Sequence, residues 1–297
     1  MRIGLLLFDD VDLLDVGGPY EVFLTASRLA ERDGHPAPFE VITIGDAPVT
    51  AYGGMGLVPT HRVGDVESLD VLIVPGAIAI DRVMGDPAIM DAAARLVGRA
   101  DLTASVCTGA FVLGKLGMLA GIGWTTHFED VQDLAALIGS DRGVVSPWVD
   151  EDSIVTAGGL SSGIAMALHL VERLAGRDLA VRTARQLQYA WDPKLREYVA
   201  VALAWFGDGG RDALHAYERR VQPLVEEHGG TVDLILEPSS VTGWDGLPPD
   251  EIHVLAFPDA RAFDAYVSDP RRADLSSLRS EGVDRTIVLL GHRSRSF

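Results

Sequence analysis

The sequence predicts an α/β protein: a doubly wound, mostly parallel sheet followed by a smaller α+β domain. Three observations carry that expectation. Over the first two-thirds of the chain, short aliphatic runs alternate with longer amphipathic ones. That alternation is the pattern of a parallel sheet covered by helices on both faces. The last third instead reads β-α-β-β-α-β, the split-βαβ order of ferredoxin-like domains. With 297 residues, 47% of them hydrophobic, the chain is long and apolar enough for two domains with real cores.

Taken in order, the buried strands are "RIGLLLF" (2–8), "FEVITIG" (39–45), "DVLIVPG" (70–76), "DLTASVC" (101–107) and "SIVTAGG" (153–159). Each is short, aliphatic and closed by glycine, proline or a polar turn. Between them, "PYEVFLTASRLAERDG" (19–34), "PAIMDAAARLVGRA" (87–100), "AFVLGKLGML" (110–119) and "SGIAMALHLVERLAG" (162–176) have helical spacing. Pro19 suits a first helical turn, and Gly34 and Gly176 suit helix ends. "QLQYAWDPKLREY" (186–198) reads as a terminal helix broken at Asp192-Pro193. The domain boundary is therefore set near 194, giving domains of 1–194 and 195–297.

In the second domain, "EYVAVALAWF", "TVDLILEP", "EIHVLAFP" and "DRTIVLLGH" are strands, and "GGRDALHAYERRVQPLVEEHGG" and "DARAFDAYVSD" are helices, followed by a second short helix. Pro223 is expected to kink the first helix, and 239–251 is turn-rich. This domain has no cysteine and no evident compact acid/base cluster. Its strands place aliphatic residues on both faces, so the face without helices is expected to be an interface, with a homodimer as the simplest arrangement and docking onto the chain's own first domain as the alternative.

The formal charge is −18 and the isoelectric point near 4.7, which repels a phosphate backbone, so no nucleic-acid partner is expected. No 18-residue uncharged apolar run is present, so no membrane partner is expected either. The opening "MRIGLLLFDDVDLLD" is interrupted by acids too early for a signal peptide. A single cysteine excludes an internal disulfide framework and a CxxC pair, which fits a cytoplasmic protein.

That cysteine, Cys107, ends a strand just where a helix begins. Ser105-Val106-Cys107-Thr108-Gly109 is a small-x-nucleophile-x-small pattern, like the elbow of G-x-S-x-G enzymes with sulfur in place of oxygen. Such a turn lifts the nucleophile above the carboxyl edge of the sheet, where doubly wound folds bind ligands. The helix start is expected to favour thiolate, the reactive form.

A thiol that does chemistry needs a proton partner. Asp9, Asp10, Asp12 and Asp15 all follow the first strand. Asp15 stands apart because Leu13, Leu14 and Val16 surround it, and it is read either as an acid/base group or as a helix cap. His127, in "TTHFED", is a candidate supporting group. Gly76, in "VPGA", is either an oxyanion-type donor or a tight turn. Ser161 and Ser162 read as a glycine turn and a helix cap, and His169 as a packed residue. No HExxH-type metal spacing occurs.

These motifs resemble the DJ-1/PfpI (class I glutamine amidotransferase-like) superfamily, and within it the isonitrile hydratase branch. "IGLLLFDDVDLLDVGGPYEVF", "DVLIVPGA", "SVCTGAFVLGKLGMLAG", "TTHFED", "TAGGLSSGIAMALHLVERLAG" and "QLQYAWDP" follow in the right order over residues 1 to about 193. AraC-type regulators carry a similar domain but add a DNA-reading region, where this chain has strand patterns. The resemblance implies a flavodoxin-like fold, a nucleophile at Cys107, an acid/base carboxylate at Asp15 and a supporting Thr108. Ala77 replaces a frequent second glycine and must supply any N–H that glycine gives. Ala165 stands where the branch often has Asp. The C-terminal domain resembles dimeric α+β barrel modules. The implied reaction is hydration of an isonitrile to an N-substituted formamide, with no metal or organic cofactor. Alternatives are glyoxalase or deglycase chemistry on reactive carbonyls, and a cysteine sensor or ligand-binding regulator.

Overall fold

The structure, a computed structural model, describes residues 1–191, 198–240, 247–258, 260–275 and 283–292. It divides into two units, Met1–Trp191 and Asp192–Phe297. The boundary expected near 194 lies within 192–197, outside the described residues.

In the first unit, β1 (Arg2–Leu6), α1 (Leu13–Arg32) and β2 (Glu40–Ile44) are followed by a small ribbon of β3 (Val49–Thr50) and β4 (Gly56–Leu57). Then come β5 (Leu69–Val74), α2 (Ile80–Gly85), α3 (Pro87–Val97), β6 (Ala100–Val106), α4 (Gly109–Lys115) and α5 (Val131–Ile138). β7 (Trp148–Glu151), β8 (Ile154–Ala157), α6 (Ser162–Ala175) and α7 (Arg177–Gln186) complete it. The six-stranded sheet has the order β2-β1-β5-β6-β8-β7. Its pairs are parallel except β7 with β8. Aliphatic side chains such as Ile3, Leu5, Val71, Ile73 and Val106 are fully buried, as a sheet covered on both faces requires. The chain steps from β1 outward to β2, then returns to β5 on the other side. The crevice at the carboxyl ends of β1 and β5 is therefore the switch point where such folds bind ligands.

Several elements differ from expectation for local reasons. α1 starts at Leu13 rather than Pro19, because Asp12 is extended and its side chain accepts from the Leu14 N–H. Pro19 thus lies inside the helix, where it removes the N–H that would bond the Asp15 carbonyl. α4 stops at Lys115, and Gly117 follows at φ 78°. The terminal helix expected from Gln186 up to the Asp192-Pro193 break does not form over residues 187–191; the helix here is α7, which ends at Gln186 and is set off from α6 by Gly176 at φ 95°. β7 was not foreseen: its "WVDE" is an edge strand carrying two acids.

In the second unit, β9 (Tyr198–Phe206), α8 (Gly210–Glu227), β10 (Thr231–Leu236), β11 (Glu251–Phe257), α9 (Ala260–Val267), α10 (Pro270–Asp274) and β12 (Val283–His292) form an antiparallel sheet of order β10-β11-β9-β12 under helices. α8 runs through Pro223 as one helix. Ala204, Leu214, Tyr217, Val221, Phe257 and Tyr266 form the core on the helix side. The strand registers place Leu234, Val254, Val201 and Leu289 in one row of the opposite face, and Leu236, Ile252, Leu203 and Ile287 in the next. Leu234, Leu236 and Leu289 are exposed.

Candidate active site

The strands ending around the switch point deliver the site residues. Asp15 follows β1, Gly76 and Ala77 follow β5, Cys107 and Thr108 follow β6, and the Gly158-Gly159-Leu160 turn follows β8. A bridge between Val11 and Ala77, and the Asp12 N–H donating to the Gly76 carbonyl at 2.9 Å, join the first two loops.

Cys107 has φ 55°, a left-handed conformation that non-glycine residues rarely adopt. The turn is held from both ends. The Cys107 N–H donates to the Ala157 and Gly158 carbonyls at 3.1 and 3.0 Å, and its carbonyl accepts from Thr126 Oγ1 at 2.8 Å. The small residue after it is a steric requirement. A Cβ on Gly109 would sit 2.2 Å from the Val74 carbonyl oxygen.

Asp15 is fully buried in the first turn of α1. Helix capping falls to Asp12, which leaves the Asp15 carboxyl to the crevice. Its Oδ2 accepts the Gly76 N–H at 3.0 Å. Oδ1 is buried without an aligned partner, while the Cys107 thiol lies close enough to act on the carboxyl as a hydrogen-bond donor. Burial pushes the Asp15 carboxyl up to about 7, against the pull of the Gly76 N–H, with Asp12 adding to the rise.

Cys107 is 8% exposed. Burial, and then the Asp15 charge, push its thiol up to about 12, although the backbone N–H groups of Thr108 and Leu160 favour the thiolate. The expected thiolate at rest is therefore corrected: near neutral pH the sulfur keeps its proton. The start of the short α4 does not offset the desolvation.

Thr108 Oγ1 donates to the Ala77 carbonyl at 2.8 Å and is 2.9 Å from the Ala77 nitrogen, which donates to it. The Gly76 and Ala77 N–H groups are thus both engaged within the protein, so of the two readings of Gly76 the geometry favours the turn over the oxyanion donor. They hold Asp15 and Thr108 in place. The N–H groups directed at the sulfur belong to Thr108 and Leu160. Leu160 (φ 42°) and Thr126 were not singled out from sequence. The glycine-rich "TAGGLSSG" was the one visible sign of the former.

His127 packs against the same turn, where a Cβ on Gly159 would meet its Cδ2 at 2.2 Å. Its Nδ1 lies 3.4 Å from Asp130 and 3.8 Å from Glu129. Ser161 occupies the N-cap position of α6 but makes no side-chain capping bond. His169 is bonded to Asp150 at 2.6 Å and stacks on Trp148. Leu14, Ile78, Phe128 and Leu160 each neighbour a site residue in sequence, and all four are apolar and exposed. Among the described residues, no group of three or more His, Cys, Asp or Glu side chains is placed to hold a metal ion.

The strand–Cys–helix turn and the buried carboxyl both lie in the part of the chain that resembles known proteins. The DJ-1/PfpI family model matches residues 1–173. The chain belongs to the DJ-1/PfpI family. The isonitrile hydratase of Pseudomonas putida is 35% identical to it over 193 residues, covering 65% of this chain and 80% of that protein. The HTH-type transcriptional regulator GbdR of Pseudomonas aeruginosa is 25% identical over 192 residues, but the match covers only 50% of its length. A crystal structure of a ThiJ/PfpI family protein from Pseudomonas syringae shares the fold, with a TM-score of 0.56 at 24% identity over 65% of this chain and 76% of that one. Beyond the DJ-1/PfpI domain, residues 209–292 match a domain of unknown function, DUF1330. Among the described residues, no helix is long and apolar enough to cross a membrane.

Proposed function

We propose that the DJ-1/PfpI domain is a lyase that hydrates an isonitrile to an N-substituted formamide, with Cys107 as nucleophile, Asp15 as acid/base and Thr108 as a positioning residue. The observation that carries this reading is the fully buried Asp15 carboxyl, with its pKa raised to about 7, next to a thiol that keeps its proton. A general base poised near the working pH is what proton transfer needs. The similarity to an isonitrile hydratase supports the same substrate class.

The chemistry balances with these two groups and one water. As sulfur bonds to the terminal carbon of R–N≡C, Asp15 takes the thiol proton and delivers it to that same carbon, leaving a thioimidate, S–CH=N–R. Water then adds across the C=N bond, its proton passing through Asp15 to nitrogen. Cleavage of the C–S bond returns the thiol and releases R–NH–CHO. Covalent capture splits one difficult hydration into easier steps. The exposed apolar residues Leu14, Ile78, Phe128 and Leu160 suit an apolar R group.

The C-terminal sheet supports a homodimer. Its two apolar rows lie on the face opposite the helices, and a second copy of the same face is the self-complementary cover. A regulatory reading draws on the GbdR similarity. Assay with cyclohexyl isocyanide and with methylglyoxal separates the readings. Formamide release from the isocyanide supports the hydratase. Turnover of methylglyoxal alone replaces it with carbonyl chemistry, and turnover of neither favours a sensor.

A further inference from the structure

The second unit contains a buried polar cluster that its sequence did not reveal. On β11, Glu251 and His253 alternate onto the helix-covered face and are 1% and 3% exposed. On α8, Arg211, His215 and Glu218 come round to the same side at positions i, i+4 and i+7. Glu251 accepts from His253 Nε2 at 2.9 Å, from His215 Nε2 at 3.0 Å and from the Arg211 guanidinium at 3.0 Å. His253 Nδ1 lies 2.7 Å from Glu218 Oε1, close enough for an ion pair but out of line for a good hydrogen bond. Burial alone would lower the His253 pKa, but Glu218 and Glu251 outweigh it and raise it.

Buried ion networks are commonly matched or bettered by apolar packing of equal volume. The cluster also opens onto a cavity of about 300 Å3, at the small end of the range for ligand pockets. Val225, Val232, Ile235 and Leu255 give it an apolar wall, and His215, Glu218 and His253 reach it from the cluster, Glu218 being held by His253. At its edge stands Arg219, exposed and in no ion pair among the described residues. An apolar wall with a few converging polar groups is the usual make-up of a small-molecule site.

We propose that this cavity, between α8 and the β10–β11 edge, binds a small carboxylate with an apolar body. The chain lies along the valine and leucine wall. The carboxylate takes the Arg219 guanidinium at the cavity's edge, with the His215 and His253 rings beside it. The proposal concerns the second unit alone and does not depend on the reaction proposed at Cys107.

The test uses the full chain, labelled with nitrogen-15 and titrated with octanoate, octanamide and octylamine while the histidine ring signals are followed. Octanoate should move the His253 and His215 ring signals saturably, binding at least tenfold more tightly than octanamide, with octylamine weakest. Arg219→Ala, at an exposed position, should weaken octanoate about tenfold, the loss of a charge-assisted bond. Val232→Trp, at the half-exposed edge, should block it. Cys107→Ala should leave octanoate binding unchanged. If octylamine or octanamide binds as well as octanoate, the ligand class is wrong. If none of the three moves the ring signals, the cluster is structural and the proposal is overturned.

Discussion

Gly76 donates its backbone N–H to Asp15 Oδ2 at 3.0 Å, across a separation of 61 residues. A Cβ on Gly76 would stand 2.6 Å from Thr108 Oγ1 and 2.9 Å from Asp15 Oδ2. One glycine therefore fixes the carboxyl and leaves room for the threonine. Gly76→Ala is expected to cut kcat/KM by two orders of magnitude or more by displacing both, as misplacing a catalytic group by about 1 Å can. Steady-state kinetics beside a thermal melt checks this, because a folded variant at full rate would remove Gly76 from the positioning scheme.

Cys107→Ala is expected to abolish isonitrile turnover while the fold is kept, since the side chain is small and the turn is held by backbone bonds. Cys107→Ser should also be nearly inactive, because an alcohol is a much weaker nucleophile at neutral pH. Turnover by the purified alanine variant would eliminate the covalent route.

Asp15→Asn is expected to lower the rate by roughly 10²–10⁴-fold, the usual share of general acid–base catalysis. With the carboxyl raised to about 7, kcat/KM of the parent should rise with pH and level off above about 7. The variant's profile should be flat through that range. A variant as fast as the parent would reduce Asp15 to a hydrogen-bonding spacer.

The same carboxyl makes a prediction about stability. Its folded pKa is raised from 3.8 to about 7, so the native state binds the proton more tightly than the unfolded chain does. The stability this contributes is full below about pH 4 and is lost as pH rises through about 7. The shift bounds the loss at about 4 kcal/mol. Asp15→Asn should therefore melt higher than the parent at pH 8 and alike at pH 4. Equal melting at both would show that the buried carboxylate costs nothing.

Leu289→Lys and Leu234→Lys place charge in one apolar row of the C-terminal sheet at exposed positions. If that face joins two copies, each variant should lower the mass in solution, measured by light scattering, while the melting curve of a monomer is retained. A mass unchanged from the parent would locate the dimer contact elsewhere.

Much of the first unit is legible because its physics is local. A strand that ends in small residues around a cysteine states its own turn, and Gly109 is required by a backbone oxygen next to it. Asp12 and Asp15 are harder to tell apart. Both precede or enter the same helix, and only the observed start at Leu13 makes Asp12 the cap and frees Asp15. The spare N–H at Leu160 and the hydroxyl of Thr126 reach Cys107 from other loops, so no spacing in the sequence announces them. The Glu251–His253 cluster is hidden for the same reason. Its helical and strand periodicities are each visible, but their pairing is made by the packing of α8 on β11.

Cys107 is the chain's single cysteine. Any thiol-directed label on the protein therefore reports on one place only, at the crevice. The mass of an adduct trapped during turnover identifies the intermediate without a digest. The fraction of chains that take up label counts competent sites, so a specific rate can be stated per working thiol rather than per milligram.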